Sequence, residues 1–431
     1  MTVKLLCVGD MHLGRLPARL PDSLADTRLD PHEMGPTAAW DRTVTYACRE
    51  GVDVVILAGD VVESDNARYE AFGPLLQGVE RLLEAGIDIC AVAGNHDTEA
   101  LPRLARLMEG FHLLGENGVW NDHVVQKDGQ DLVRLVGWSF PSPEMRTNPL
   151  QGGLPQAGTT CPTLGLLHCD LYDSRSRYAP VRLADLEATG LDGWLLGHIH
   201  KPTLSEKGPL LGYLGSLVGL DPTETGRHGP WLITIHRGQT RMRQIPLAPL
   251  RWEEIVTAVN ELDDSAHDLH SLLVTALREH YSHLAPDLGD TVAVGCRIRL
   301  RGHTSTHRNL TRVLAELAAR EERVEVPIER VTFFVEKLFD ESAPAIDLEN
   351  LATGQDPPAI LAAELLTLQA GDGRDTELIA AARAELERSA NHHNFALIDP
   401  PQLSDDHIRA ILLRAGSFAL EELLVQPEGE R

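Results

Sequence analysis

Five short segments of this sequence each close an apolar run with side chains that bind metals. In chain order they are Asp10-Met11-His12, Gly59-Asp60, Gly94-Asn95-His96-Asp97, His168 and Gly197-His198-Ile199-His200. Together they offer enough Asp, Asn and His for two neighbouring cations. Two cations in one cleft are a device for breaking phosphate esters, because they turn a water between them into hydroxide near neutral pH and neutralise the phosphoryl oxygens. Each segment alone has an ordinary reading. Asp-x-His at a strand end is often a cap, Gly-Asp is a common turn, and a lone His168 suits a satisfied core histidine. The order of all five along one chain is what carries the metal reading.

Local spacing agrees with it. Asp10 and His12 are two apart, as are His198 and His200, so in extended chain each pair points one way. Gly59, Gly94 and Gly197 precede candidate ligands and permit tight turns and close backbone approach. Hard oxygens mixed with imidazoles favour manganese, iron or zinc over calcium, and the lack of thiolates argues against a structural zinc site. Two divalent ions are expected, manganese first, with iron, zinc or magnesium as alternatives. His123 competes with His168 for the fourth position.

The elements that must hold these residues follow an α/β pattern. Lys4–Gly9, Val52–Ala58 and Ile87–Ala93 are continuous apolar runs, as strands covered on both faces require. Between them, Ala38–Glu50 places Trp40, Val44, Ala47 and Cys48 on one helical face before Gly51, and Phe72–Glu84 repeats the pattern before Gly86. Further strands are expected within 119–140 and over Leu164–His168, Gly193–Gly197 and Trp231–His236, with a Pro/Gly-rich loop from Pro141 to Pro162. Ligands in open α/β sheets gather beyond the carboxyl ends of the strands, so five strand ends can meet in one cleft.

The chain has 431 residues, 43 % of them hydrophobic, which predicts two or three domains with real interiors. The first is expected over 1–249. A mixed unit over 250–343 follows, with helices at Glu253–Leu262, Leu269–Leu284 and Asn309–Arg320 and strands at Val292–Leu300 and Val331–Leu338. A helical region over 344–431 has helices at Ala359–Leu368, Thr376–Arg388 and Asp405–Leu424. No apolar run is long enough to span a bilayer, so no membrane association is expected. The first residues run straight into the Asp10 motif, leaving no room for a removable signal. Six cysteines without a Cys-x-x-Cys read as reduced thiols in a cytoplasmic protein. No Gly-x-x-x-x-Gly-Lys-Ser/Thr loop is present, which excludes ATP hydrolysis by that route.

The five segments resemble the pattern of the calcineurin-like metallophosphoesterases: Asp-x-His, Gly-Asp, Gly-Asn-His-Asp/Glu, a single His, and Gly-His-x-His, here across roughly residues 5–200. Gly9-Asp10-Met11-His12-Leu13-Gly14 and the later Gly215-Ser216 segment are similar to the SbcD-type DNA repair exonucleases within that superfamily. The chain lacks the Asp-Arg-Gly that protein phosphatases carry after the second motif. The resemblance implies a two-sheet α/β sandwich, a smaller α+β capping domain and a helical C-terminal region. It also implies one metal on Asp10, His12, Asp60 and His200, and another on Asp60, Asn95, His168 and His198, with Asp60 bridging. His96 would face the scissile phosphate and Asp97 would orient it. The implied function is a DNA exonuclease or endonuclease subunit acting in repair with an SMC-like ATPase, and the family expectation is a homodimer. The alternative on the same residues is a small-molecule phosphodiesterase or phosphatase, for example on cyclic nucleotides. A third reading, a metal-braced scaffold, has no use for His96.

A nuclease must attract a polyanion although the net charge is −25. Residues 331–431 hold seven Lys and Arg against nineteen Asp and Glu, a net of −12, so this end is not expected to touch phosphates. Arg15 and Arg19 after the first motif, Arg175, Arg177 and Arg182 after His168, and Arg297, Arg299 and Arg301 on one strand, with Arg308 and Arg312 beyond, are the candidates to border the cleft. Each group reads more readily as an ordinary solvated face paired with nearby Glu. Ile408, Ile411, Leu412, Phe418, Leu420 and Leu423 form a candidate apolar stripe for the ATPase partner.

Overall fold

The chain's structure, a computed structural model, describes residues 2–21, 30–63, 71–155, 161–260, 266–304, 307, 309–310, 312–314, 324–390 and 404–425. Alternation along its strands decides the architecture. In β1 (Thr2–Val8), Val3, Leu5 and Cys7 enter one interior while Leu6 and Val8 enter another. In β2 (Val54–Ala58), Val54, Ile56 and Ala58 join the first group, and Val55 and Leu57 the second. β3 (Asp88–Val92) divides likewise, Cys90 and Val92 against Ile89 and Ala91. Strands apolar on both faces need two covers. One cover here is a second sheet and the other is a layer of helices.

β1, β2, β3 and β4 (Phe111–Leu113) run parallel. The second sheet takes β5 (Asn121–Lys127), β6 (Gln130–Trp138), β7 (Thr163–His168), β8 (Gly193–Gly197) and β9 (Leu211–Tyr213) in sequence order. The hairpin of β10 (Trp231–His236) and β11 (Gln239–Gln244) completes the first sheet, β10 antiparallel to β1. Leu135, Leu164, Leu166 and Leu195 of the second sheet meet the inner residues of the first. Helices Pro36–Glu50, Phe72–Glu84 and Ala100–Leu107 bring Trp40, Val44, Leu75, Val79 and Leu101 to the other side of the first sheet. Trp138, Leu167, Trp194 and Leu196 form a third interior outside the second sheet. This is the two-sheet α/β sandwich that the family resemblance implied.

The chain divides into two compact units, the first comprising Met1–Ile255, Leu277–Arg297 and Arg323–Lys337, the second Val256–Ala276, Ile298–Glu322 and Leu338–Arg431. A four-stranded sheet, β12 (Leu250–Ala258), β13 (Ala293–Thr304), β15 (Val331–Pro344) and β14 (Glu325–Ile328) in that order, contains the strands at which the units divide. The helix expected over Glu253–Leu262 is not formed, because Leu250–Ala258 is a strand. The β-branched run Ile255-Val256-Thr257 favours extended chain, and Trp252 is anchored by its indole N–H on the Gly219 carbonyl at 3.0 Å. Helix Ala266–Leu284 forms as expected. Arg308 and most of the helix expected over Asn309–Arg320 lie outside the described residues. In the second unit, helices Pro357–Ala370 and Asp405–Val425 share a core of Ala362, Leu365, Leu368 and Leu420. The stripe proposed for a partner is therefore divided: Ile408 and Leu420 are buried, while Ile411 faces out. No helix among the described residues is long and apolar enough to cross a membrane.

The sandwich brings strand ends from both sheets together. His168 closes β7 and is in register with Gly197 at the end of β8. A Cβ at Gly197 would fall on the Ala58 carbonyl and within 2.8 Å of His168 Nδ1. Gly197→Ala should therefore overpack this junction and cost about 1–3 kcal/mol, read as a lower denaturation midpoint. An unchanged midpoint would contradict so close an approach of the two sheets.

Candidate metal centre

Each candidate ligand stands on a strand end or in the turn that follows it, and the backbone there is unusual. Asp10 (φ 37°), His12 (φ 48°), Asp60 (φ 48°) and His198 (φ 108°) all adopt positive φ without being glycine. Side-chain-bearing residues avoid this region, and it recurs at functional sites where the surroundings enforce it. Those surroundings are hydrogen bonds between neighbouring strand ends. The His12 N–H donates to the Asp60 carbonyl at 2.8 Å, and the Leu13 N–H to the Val61 carbonyl at 2.9 Å. The His198 N–H donates to Asp10 Oδ1 at 2.8 Å, joining the ends of β1 and β8.

The side chains converge. Asp10, His12 and His200 present donor atoms within 4.8 Å of one another, as do Asp10, Asp60 and His168, and also His12, Asp60 and His96. His168 Nε2 lies 3.4 Å from Asp60 Oδ2 and 3.2 Å from Asn95 Oδ1. Its Nδ1 lies 3.1 Å from the Ala58 carbonyl. The rings of His168 and His198 are 5.3 Å apart. His123, the competitor for the fourth position, instead stacks on His112 with ring centroids 3.7 Å apart and lies 3.4 Å from Asp88.

Two observations show that the donor set suits cations. Asp10 is 1 % exposed, and its Oδ2 has no hydrogen-bond partner among the described residues. A buried carboxylate oxygen without a donor or cation is costly. In addition, His12 Nε2 and His200 Nε2 face each other at 3.1 Å. The Nδ1 of each is taken by a carboxylate: Glu63 at 3.1 Å for His12 and Glu224 at 2.7 Å for His200. With Nδ1–H donated to a carboxylate, a neutral ring carries its lone pair on Nε2. Two lone pairs so placed call for a positive charge, and carboxylate-backed histidine is a common way to hold a metal.

The electrostatics point the same way. Burial opposes charge on His168, yet Asp60 and then Asp10 raise it to about 9. Burial also opposes charge at His200, where Glu224 and Asp10 raise it nonetheless. Asp60 is held below the usual carboxylate range against its burial, chiefly by His168. Burial, then the neighbouring His168, pushes His198 down to about 4, leaving a neutral ring. The field that draws protons onto these rings is the field a divalent ion would meet.

The expected pairing of Asp97 with His96 is not made. Asp97 is fully buried and accepts from the backbone N–H groups of Val61 and Gly94, both at 2.6 Å. It ties the turn after β2 to the turn after β3. Burial, with Asp60 beside it, pushes it up to about 7. His96 Nδ1 lies instead 2.8 Å from Glu63 Oε1, and its backbone N–H donates to Asp60 Oδ1 at 3.0 Å. Glu63 thus holds one oxygen on His12 and the other on His96. Glu63, Glu224 and Asp170, whose Oδ2 is 3.9 Å from His198 Nε2, were not singled out by the sequence reading. Glu63 stands three residues after Asp60, the one local hint of its role.

The candidate substrate arginines differ in setting. Arg15 is exposed, its N–H on the His12 carbonyl at 3.1 Å, with no acidic partner among the described residues. Arg177 is exposed, pairs with Glu144 at 2.9 Å and stacks over Tyr178, whose ring centroid is 5.1 Å from that of His198. Arg297 pairs with the buried Glu336 in the first unit. Arg299 and Arg301 both pair with Glu341 in the second. The basic strand is thus largely neutralised by its own neighbours.

Residues 3–202 match the family model of the calcineurin-like phosphoesterases. Over this part the chain is similar to that family. Among relatives, the uncharacterized metallophosphoesterase YhaO of Bacillus subtilis is 30 % identical over 225 residues, covering 51 % of this chain and 54 % of that protein. The DNA double-strand break repair protein Mre11 of Aeropyrum pernix is 26 % identical over 217 residues, 48 % of this chain and 51 % of that protein. The chain spans about half the length of these relatives. A dimetal phosphatase from Danio rerio is a weaker structural likeness, with a TM-score of 0.37 at 13 % identity over 56 % of this chain and 95 % of that one.

Metal binding to the folded form alone raises stability by mass action, by about 2.7 kcal/mol at a hundredfold excess over Kd. Manganese should raise the unfolding midpoint of the chelator-treated protein, and Asp10→Asn should remove most of that increment. The same manganese-dependent rise in Asp10→Asn as in the unaltered chain would contradict the placement of a cation against Asp10.

Proposed function

We propose that this chain is the nuclease subunit of a DNA repair or end-processing system, hydrolysing DNA phosphodiester bonds at a dinuclear metal site. The observation that carries the reading is His96. It stands among the metal donors with Nδ1 fixed on Glu63 at 2.8 Å and Nε2 4.0 Å from Asp60 Oδ2, and its side chain is one-third exposed. A buried metal-braced scaffold needs no such histidine, whereas a phosphoesterase needs a proton donor for the leaving oxygen. The similarity to a DNA double-strand break repair protein, over half its length, supports DNA as the substrate.

Asp10, His12, Asp60 and His200 would hold one cation, and Asp60, Asn95, His168 and His198 the other, with manganese the expected metal. Bound there, the two cations supply activation of water and neutralisation of charge on the phosphoryl group. Glu63 raises the proton affinity of His96 and fixes its Nδ1–H, so the Nε2 proton is the one offered to the departing oxygen. Arg15 follows the His12 motif and Arg177 stacks over Tyr178 beside His198; both are exposed, and we assign them to the DNA backbone. An SMC-like ATPase and a second copy of the chain are the proposed partners.

One observation favours a smaller ester. Arg297, Arg299 and Arg301 are occupied by Glu336 and Glu341 and do not form a free phosphate-binding row. A small-molecule phosphodiesterase would use the same metal donors and His96.

Incubation with manganese and end-labelled duplex DNA, single-stranded DNA and bis-p-nitrophenyl phosphate separates the readings. The nuclease reading predicts DNA cleavage, and cleavage of the small ester alone would replace it with the second reading. His96→Ala should retain its metals by elemental analysis and lose about 10²–10⁴-fold in turnover. Undiminished turnover in that variant would remove His96 from the chemistry.

A further inference from the structure

A buried polar cluster stands on the Nδ1 side of His200. Glu224 Oε1 lies 2.7 Å from that nitrogen. Its other oxygen accepts from the Leu220 N–H at 2.8 Å and lies 3.3 Å from Ser216 Oγ. Ser216 is fully buried, and its N–H donates to the His200 carbonyl at 2.8 Å. His228, 2 % exposed, spans the same turn: Nδ1 is 3.0 Å from the Ser216 carbonyl and from Ser216 Oγ, and Nε2 is 3.0 Å from the Glu224 carbonyl. The ring thereby pins both ends of the turn from Ser216 to Glu224. Trp252 braces that turn as well, its indole N–H on the Gly219 carbonyl at 3.0 Å and its own carbonyl accepting from the Gly226 N–H at 2.8 Å. The cluster meets the candidate ligands at His200, through Glu224 on its Nδ1 and Ser216 on its carbonyl.

We propose that Glu224 is a positioning residue for His200, and that His228 is the clamp that holds Glu224 in place. Glu224 fixes the His200 tautomer by taking Nδ1–H, which leaves Nε2 bare toward Asp10 and His12. The side chain and the turn that carries it are thus set before any cation arrives. Ser216 and His228 are buried so deeply because a clamp works only if it cannot move. The inference rests on the dimetal reading of the site and adds to it the residues that orient one ligand.

The test uses the full chain, stripped of metal by chelation and titrated with manganese chloride by calorimetry. Removing a carboxylate that orients a metal-bound histidine weakens affinity about 10–100-fold. Glu224→Ala should show that loss, Glu224→Gln a smaller one because an acceptor oxygen remains, and His228→Ala a loss in the same direction. Glu329→Gln, which removes an acid from the Tyr281 hydroxyl elsewhere, should bind as the unaltered chain does. In ¹⁵N-correlated spectra of the stripped protein, His200 should carry its proton on Nδ1, and Glu224→Ala should lose that preference. A purely structural role would lower the melting temperature and move neither readout. If Glu224→Ala fails to fold, Glu224→Gln carries the comparison. Full manganese affinity in the folded Glu224 variants overturns the proposal and leaves the dimetal site standing. No manganese binding by the unaltered chain overturns both.

Discussion

Negative charge gathered in a dry place is the constraint around which this molecule is arranged. Asp10 and Asp60 are both nearly inaccessible, and Asp10 Oδ2 meets no donor among the described residues. Carboxylates so placed need positive charge or they neutralise. Among the described residues no Lys or Arg is paired with them. The chain sets imidazoles there, which in their neutral form donate lone pairs rather than charge. A site built of acceptors is a site for cations.

Holding that arrangement costs backbone comfort. Four of the proposed ligands sit at positive φ, which carries an energetic penalty of order 1–3 kcal/mol for each non-glycine residue. The sandwich offsets it. Its inner residues lock the two sheets face to face, and the strand-end glycines let the Ala58 carbonyl, His168 and Asp60 come closer than a Cβ would allow. Carboxylates not expected to bind metal complete the work: Asp97 ties two turns through backbone N–H groups, while Glu63 and Glu224 fix imidazoles.

Much of this was legible in the residues. The continuous apolar runs located β1 to β3 and β8, because a doubly covered strand leaves a simple signature. Gly59, Gly94 and Gly197 marked the tight ends of those strands. The structure brings all five motifs together at one edge of the sandwich. Pairings across the site were another matter. Local spacing cannot tell that Glu63 rather than Asp97 meets His96, or that Glu224 reaches back to His200, since those contacts are set by how turns from different strands stack. The Glu253–Leu262 segment misled for a related reason: its glutamates favour a helix in isolation, and Trp252 with its strand neighbours overrides that preference.

The most direct test of the central claim is the number and coupling of bound ions. The purified chain, loaded with manganese and freed of excess, should hold two ions per chain by elemental analysis. Its electron paramagnetic resonance spectrum should show a spin-coupled pair, because two cations both held by Asp60 would lie within exchange distance. One ion per chain with the six-line pattern of isolated manganese, or none, would contradict the account.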